Sequence, residues 1–130
     1  MQQALAEAGL TPRDIGYINA HGTATAVGDV VEAEAINAVF GEAAREVRVS
    51  STKSLHGHLL GGSGALEFAA ALLALERGIL PPTAFLEQPD PACALRHVAG
   101  VAERVEKPRA VMSNSFAFGG SNVVLVAERP

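Results

Sequence analysis

Apolar residues change their period several times along the chain, and each change marks an element. Gln2 to Ala8 reads as the last turns of a helix, with Gly9 as its C-terminal stop. Thr11-Pro12-Arg13-Asp14 is a cap-and-proline turn opener. Ile15 to Ala20 is a short strand that ends on His21-Gly22-Thr23-Ala24-Thr25. Gly28-Asp29 opens a second helix, where Asp29 can cap and Glu32 completes a capping-box-like pair. Ala33, Ile36, Val39 and Phe40 form its buried stripe, and Gly41 ends it. Val47 to Ser50 is the next strand. A third helix spans Gly64 to Arg77, stopped by Gly78. Leu66, Phe68, Leu72, Leu73 and Leu75, interleaved with alanines, leave it no clear polar face, which predicts burial on all sides. Pro81-Pro82, Pro89 and Pro91 punctuate an extended segment and a loop, and a weaker strand lies near Val101 to Val105. Ala110 to Ser115 and Val123 to Ala127 make a final strand pair, joined by Phe116 to Ser121.

The order is β-α-β-α-β and then a hairpin, which predicts an α/β fold with a mixed sheet and helices on it. A helix buried all round needs layers on both sides, and these elements are too few to supply both. The chain also opens inside a helix. Both features lead to the expectation that a partner half completes the fold. The 130 residues suit one domain. A formal net charge of −4 argues against nucleic acid as a partner. The single cysteine, Cys93, forms no internal disulfide, so a reducing cytoplasm is the expected location. No basic segment precedes an apolar one at the N-terminus, so no signal peptide is expected. The longest apolar run, Phe68 to Leu75, is far short of the ~20 residues of a membrane helix.

Candidate chemistry concentrates in three Gly-rich loops that each follow a strand. The first offers His21, Thr23 and Thr25. The second, Ser50 to Glu67, offers Lys53 and His58 at the turn from strand to helix. The third offers Phe118, the backbone N–H groups of Gly119 and Gly120, and Asn122. In α/β proteins such turns lie at one sheet edge, where ligands bind. Two imidazoles, hydroxyls and free amides are hydrogen-bond donors, suited to an oxygen that becomes negative during reaction, as in thioester or enolate chemistry. The Lys53 ammonium disfavours protonation of nearby histidines. Glu67, a carboxylate on an apolar helix, needs a partner, and Lys53 is the obvious one.

Plainer readings compete. A lone histidine after a strand is more often structural than catalytic. His56 and His58 form an H-x-H pair, but a metal beside Lys53 meets charge repulsion, and no thiol is near. Gly57 to Gly64 lacks the Gly-Lys-Ser/Thr ending of a phosphate loop. His56 reads as a solvated loop residue, and Thr23 and Thr25 as possible turn residues. Cys93 has no glycine turn or helix start to activate it as a nucleophile.

The motifs resemble those of the β-ketoacyl-acyl carrier protein synthases. Ala20-His21-Gly22-Thr23-Ala24-Thr25 with Gly28-Asp29 looks like their first histidine motif. Ser51-Thr52-Lys53-Ser54, Gly57-His58-Leu59-Leu60-Gly61 and Gly64-Ala65-Leu66-Glu67 resemble their lysine and second-histidine motif. Asn114-Ser115-Phe116 and Phe118-Gly119-Gly120-Ser121-Asn122 resemble their C-terminal glycine loop. The wording of the second motif is closer to stand-alone, type II enzymes than to modular polyketide synthases.

The resemblance implies a thiolase-like fold of two stacked α/β halves, with residues 1–130 as a C-terminal ketosynthase domain and the nucleophilic cysteine in the other half. It implies a decarboxylating Claisen condensation of an acyl thioester with malonyl-acyl carrier protein. His21 and His58 would hold the malonyl thioester carbonyl, and Lys53 would position His58, together with Glu67. Phe118 would supply a backbone N–H to the acyl oxyanion and a gating ring, in a loop formed by Phe116, Gly119 and Gly120. Thr23 and Thr25 would bind the pantetheine arm, while Asp29 and Asn122 would be supports. The implied partners are acyl carrier protein, the N-terminal half, and a second subunit in a homodimer or ketosynthase heterodimer. No cofactor beyond the carrier's phosphopantetheine, and no metal, is implied. Ala26 stands where the family usually has proline, and His56 and Ser63 stand where other residues are common. Two other readings differ in class. A chain-length-factor-like partner subunit often loses the histidine and lysine motifs, which are present here. A thiolase would carry a Cys-x-Gly motif where this chain has Phe118-Gly119-Gly120.

Overall fold

A computed structural model describes residues 1–130. In strand β1 (Ile15–Asn19), Tyr17 and Ile18 are both fully buried and point to opposite faces, as a strand covered on both sides requires. β1 pairs in parallel with β2 (Arg48–Ser50) and with β6 (Ala110–Ala117). β4 (Arg96–His97) extends the sheet in parallel beyond β2, and β7 (Ser121–Glu128) closes the other edge antiparallel to β6. The five-stranded order is β4-β2-β1-β6-β7. A separate antiparallel pair joins β3 (Ile79–Leu80) to β5 (Glu103–Arg104).

Each face of the sheet carries its own core. On one face Ile18, Val49 and Met112 pack with Leu5 of α1 (Gln2–Ala8) and with Ile36 and Phe40 of α2 (Gly28–Phe40). On the other, Tyr17 and Val111 pack with Ala71, Ala74 and Leu75 of α4 (Ser63–Arg77) and with Leu80. A single turn of helix, α3 (Lys53–His56), lies between β2 and α4. Gly9 and Gly78 stop α1 and α4 in the left-handed conformation, as their sequence positions predict.

Several elements bear on the sequence reading. α4 packs one face on the sheet: Glu67, Ala71, Ala74 and Leu75 face the strands, while Leu66, Leu72 and Leu73 are 42%, 40% and 48% exposed, on the side for which the sequence reading found no covering layer among these elements. Small side chains let the helix approach the strands closely, and three leucines are left outward. α2 starts without a side-chain cap, so neither Asp29 nor Glu32 caps it. The hairpin loop is shorter than predicted. The ladder runs on through Phe116↔Asn122 and Ala117↔Ser121, leaving only Phe118–Gly120 at the tip. β4 has no apolar signature to read, because its two residues are Arg96 and His97.

The register brings the loops together. Asn19 at the end of β1 lies beside Ser50 of β2 and Ser113 of β6. His21 and Lys53 therefore follow their strands at the same end of the sheet, where Phe116 of β6 also lies. No helix is long and apolar enough to cross a membrane.

The outward leucines give a measurable property. The 130-residue polypeptide expressed by itself is expected to bind a hydrophobic dye or self-associate, and replacing Leu72 and Leu73 with serine should weaken both. A dye-silent monomer by light scattering would contradict this.

Candidate active site

The first loop is organised by a buried carboxylate. Glu32, on the inner side of α2, accepts hydrogen bonds from the backbone N–H groups of His21 and Gly22, each at 2.9 Å. The Asn114 side-chain amide donates to the same carboxylate at 3.0 Å. Burial raises the Glu32 pKa above its ordinary value, and the three donors oppose that shift. Gly22 has φ +36°, and a Cβ there would lie 2.6 Å from that of Ser51. Only glycine fits, and the Ser51 hydroxyl donates to its carbonyl at 2.9 Å. The Thr23 and Thr25 hydroxyls lie 3.3 Å apart, and Asp29 accepts from the Thr25 N–H at 3.4 Å. Asp29 thus steadies the threonine turn instead of capping the helix.

The second loop is pinned from below. Lys53 and Glu67 form a buried ion pair, with side chains 6% and 1% exposed. The Asn19 amide donates to the Thr52 hydroxyl and to the Glu67 carbonyl, both at 3.1 Å. Lys53 Nζ also sits 3.5 Å from His21 Nδ1. The family resemblance implied that Lys53 positions His58, but the ammonium meets His21 instead. His58 Nδ1 is held by the Leu60 N–H and the Ser63 hydroxyl, each at 3.1 Å. His56 is not a free loop residue: it ends α3, with Nδ1 2.7 Å from the Gly57 carbonyl and Nε2 3.1 Å from the Thr52 hydroxyl.

The two loops converge. The His21 and His58 rings stand edge to face with centroids 5.8 Å apart, and the Phe116 ring packs 5.6 Å from His21. Burial, the Lys53 charge and His58 together hold the His21 pKa below 6.5, with Asp29 opposing. At neutral pH this imidazole is uncharged and can donate from one nitrogen. Phe118 projects from the hairpin tip fully exposed, Gly119 and Gly120 both have φ of 81°, and Asn122 donates to the Gly120 carbonyl at 3.3 Å. No three His, Cys, Asp or Glu side chains come together with metal-site spacing. Cys93 lies in a turn where burial and the carboxylates of Asp90 and Asp29 push its thiol pKa up, the reverse of activation.

The Beta-ketoacyl synthase, C-terminal domain profile matches residues 1–87. The chain belongs to this family. Nodulation protein E of Rhizobium sp. (strain N33) is 49% identical over 125 residues, covering 96% of this chain and 31% of that protein. The 3-oxoacyl-[acyl-carrier-protein] synthase 2 of Coxiella burnetii is 48% identical over 129 residues, covering 99% of this chain and 31% of that one. Among solved structures, the AntDE:AntF complex of a type II polyketide acyl-carrier protein with its ketosynthase aligns with TM-score 0.92 at 33% identity, covering 97% of this chain and 31% of that one. The fold is thus the C-terminal part of the thiolase-like ketosynthase architecture. The chain spans about a third of the length of the curated relatives it matches.

Sequence reasoning gave no site role to Glu32, Asn114, Asn19 or Ser63, although Asn114 lies in a quoted motif and Ser63 was named as a departure. Glu32 is one position from the buried stripe of α2, and Asn114 is polar within a buried strand. Each carried the same signal that singled out Glu67, a polar group where only a satisfied one is stable.

Two outcomes follow. Glu32→Gln turns a donor toward the N–H groups of the His21 loop and is expected to cost about 1–3 kcal/mol in urea unfolding; unchanged stability would oppose the assignment. The native His21 pKa lies below the unfolded value of about 6.5. The unfolded chain therefore binds more protons between the two values, and stability should fall as pH drops from 6.5 through the native value. An NMR titration should place His21 below 6.5, with Lys53→Met moving it upward; an unshifted His21 would refute the Lys53 contribution.

Proposed function

We propose that the chain supplies the malonyl-activating half of a β-ketoacyl-acyl carrier protein synthase. The observation that carries this reading is the pair of imidazoles, His21 and His58, edge to face at one sheet edge with a buried lysine behind His21. On this reading both histidines donate N–H to the thioester carbonyl oxygen of malonyl-acyl carrier protein. The bond from the malonyl α-carbon to the carboxylate breaks and carbon dioxide leaves. The electron pair moves onto the carbonyl oxygen as an enolate, stabilised by the two donors. The α-carbon then attacks an acyl thioester on a cysteine of the N-terminal half, whose thiolate leaves.

Burial and the Lys53 charge keep His21 neutral, and Glu67 keeps Lys53 in place. The exposed Phe118 tip serves the acyl side, with its N–H toward the acyl oxyanion and its ring over the acyl chain, on a hinge of Gly119 and Gly120 braced by Asn122. Phe116 lines the His21 side. Thr23 and Thr25 face the pantetheine arm. The partners on this reading are acyl carrier protein, the N-terminal half, and a second subunit, as homodimer or ketosynthase heterodimer, in the cytoplasm. No dissociable cofactor is needed, because the phosphopantetheine arrives on the carrier.

In the full-length protein, His58→Ala is expected to reduce malonyl-acyl carrier protein decarboxylation by about 100-fold or more, the scale of losing one preorganised donor. Unchanged release of carbon dioxide in that variant would sink the role. A wild-type protein without decarboxylation would favour the chain-length-factor-like partner subunit.

A further inference from the structure

His58 is held by its own local cluster, separate from the Lys53–Glu67 pair. The Leu60 backbone N–H points at His58 Nδ1 at 3.1 Å. A backbone amide can only donate, so Nδ1 must present its lone pair, and the ring proton is on Nε2. Ser63, the first residue of α4, is 4% exposed, and its Oγ lies 3.1 Å from the same Nδ1. The Leu59 N–H donates to that Oγ at 2.8 Å. With an acceptor site of Ser63 already filled and Nδ1 lacking a proton, the hydroxyl hydrogen is directed at Nδ1. Two donors therefore converge on one ring nitrogen.

We propose that Ser63 is a positioning residue for His58: its hydroxyl donates to Nδ1, fixes the Nε2–H tautomer and aims that N–H outward at the substrate carbonyl. The proposal rests on the ketosynthase reading of the site. An imidazole held by the Leu60 amide alone keeps the tautomer preference but loses one of its two anchors. Its ring then turns more freely about the Cβ–Cγ bond, and the outward N–H is less well aimed. The Ser63 backbone is fixed by α4, whose alanine face packs on the sheet, so ring orientation is inherited from the core.

The test uses full-length protein labelled with 15N-histidine, with the His58 resonances identified by their loss in His58→Ala. In the wild type, His58 is expected to show the Nε2-protonated pattern. In Ser63→Ala the Nδ1 resonance should move in the direction of an acceptor that has lost a donor. Decarboxylation of malonyl-acyl carrier protein should fall about three- to tenfold in kcat, the scale of one neutral hydrogen bond, with KM unchanged. Ser63→Thr keeps the hydroxyl and should restore both the resonance and the rate. An Nδ1 resonance that does not move in Ser63→Ala overturns the proposal, as do Ala and Thr variants that are equally slow. A wild-type protein that decarboxylates nothing defeats the ketosynthase reading instead. The nitrogen resonance then decides the Ser63 contact by itself, a shift upholding it and an unmoved signal ending it.

Discussion

The buried ion pair of Lys53 and Glu67 is the constraint on which the site depends. Neither charge is stable at that depth without the other, and removing one partner of such a pair costs about 3–5 kcal/mol. Glu67 sits on α4, whose alanines pack on β1 and β6, and Lys53 sits on the turn after β2. The pair therefore ties the depth of the loop to the packing of the core. Asn19 adds a third anchor at the end of β1, bonding Thr52 and the Glu67 carbonyl. With the ammonium so fixed, its distance of 3.5 Å to His21 Nδ1 is a consequence of the fold. The neutrality of His21 is in part its electrostatic result.

Much of this was legible in the chain. Glycine stops gave the ends of α1 and α4, short apolar runs gave β1 and β2, and a carboxylate on an apolar helix pointed to Lys53 as its partner. Spacing failed where the answer depended on which face a residue presents. α4 reads as apolar all round, yet Ala71, Ala74 and Leu75 turn inward and Leu66, Leu72 and Leu73 outward. Glu32 has the sequence form of a capping partner, but its partners lie 11, 10 and 82 positions away, joined by the parallel register of β1 and β6. Lys53 lies five positions from His58 and 32 from His21, yet the contact is with His21. A strand crossing places residues side by side that no local pattern connects.

The two histidines are held by different means. His21 is fixed through its main chain by Glu32, and its ring is set by the Lys53 charge and the Phe116 face. His58 is more exposed and is fixed through its ring, by two donors on one nitrogen. Burial and charge set one imidazole, hydrogen bonding the other.

That division bears on what the pair can do. A neutral imidazole has one donor and one acceptor nitrogen. For His58 the acceptor is occupied by Leu60 and Ser63, so the ring has only an N–H left to offer. For His21 the nitrogen nearest Lys53 is Nδ1, and an ammonium beside it favours a lone pair there and the proton on Nε2. Both rings are then left with an N–H to offer and no free basic nitrogen. Such a pair is a poor general base and a poor metal ligand set, since both tasks need a lone pair. On the proposed reading its chemistry is that of a preorganised donor pair, suited to an oxygen gaining negative charge.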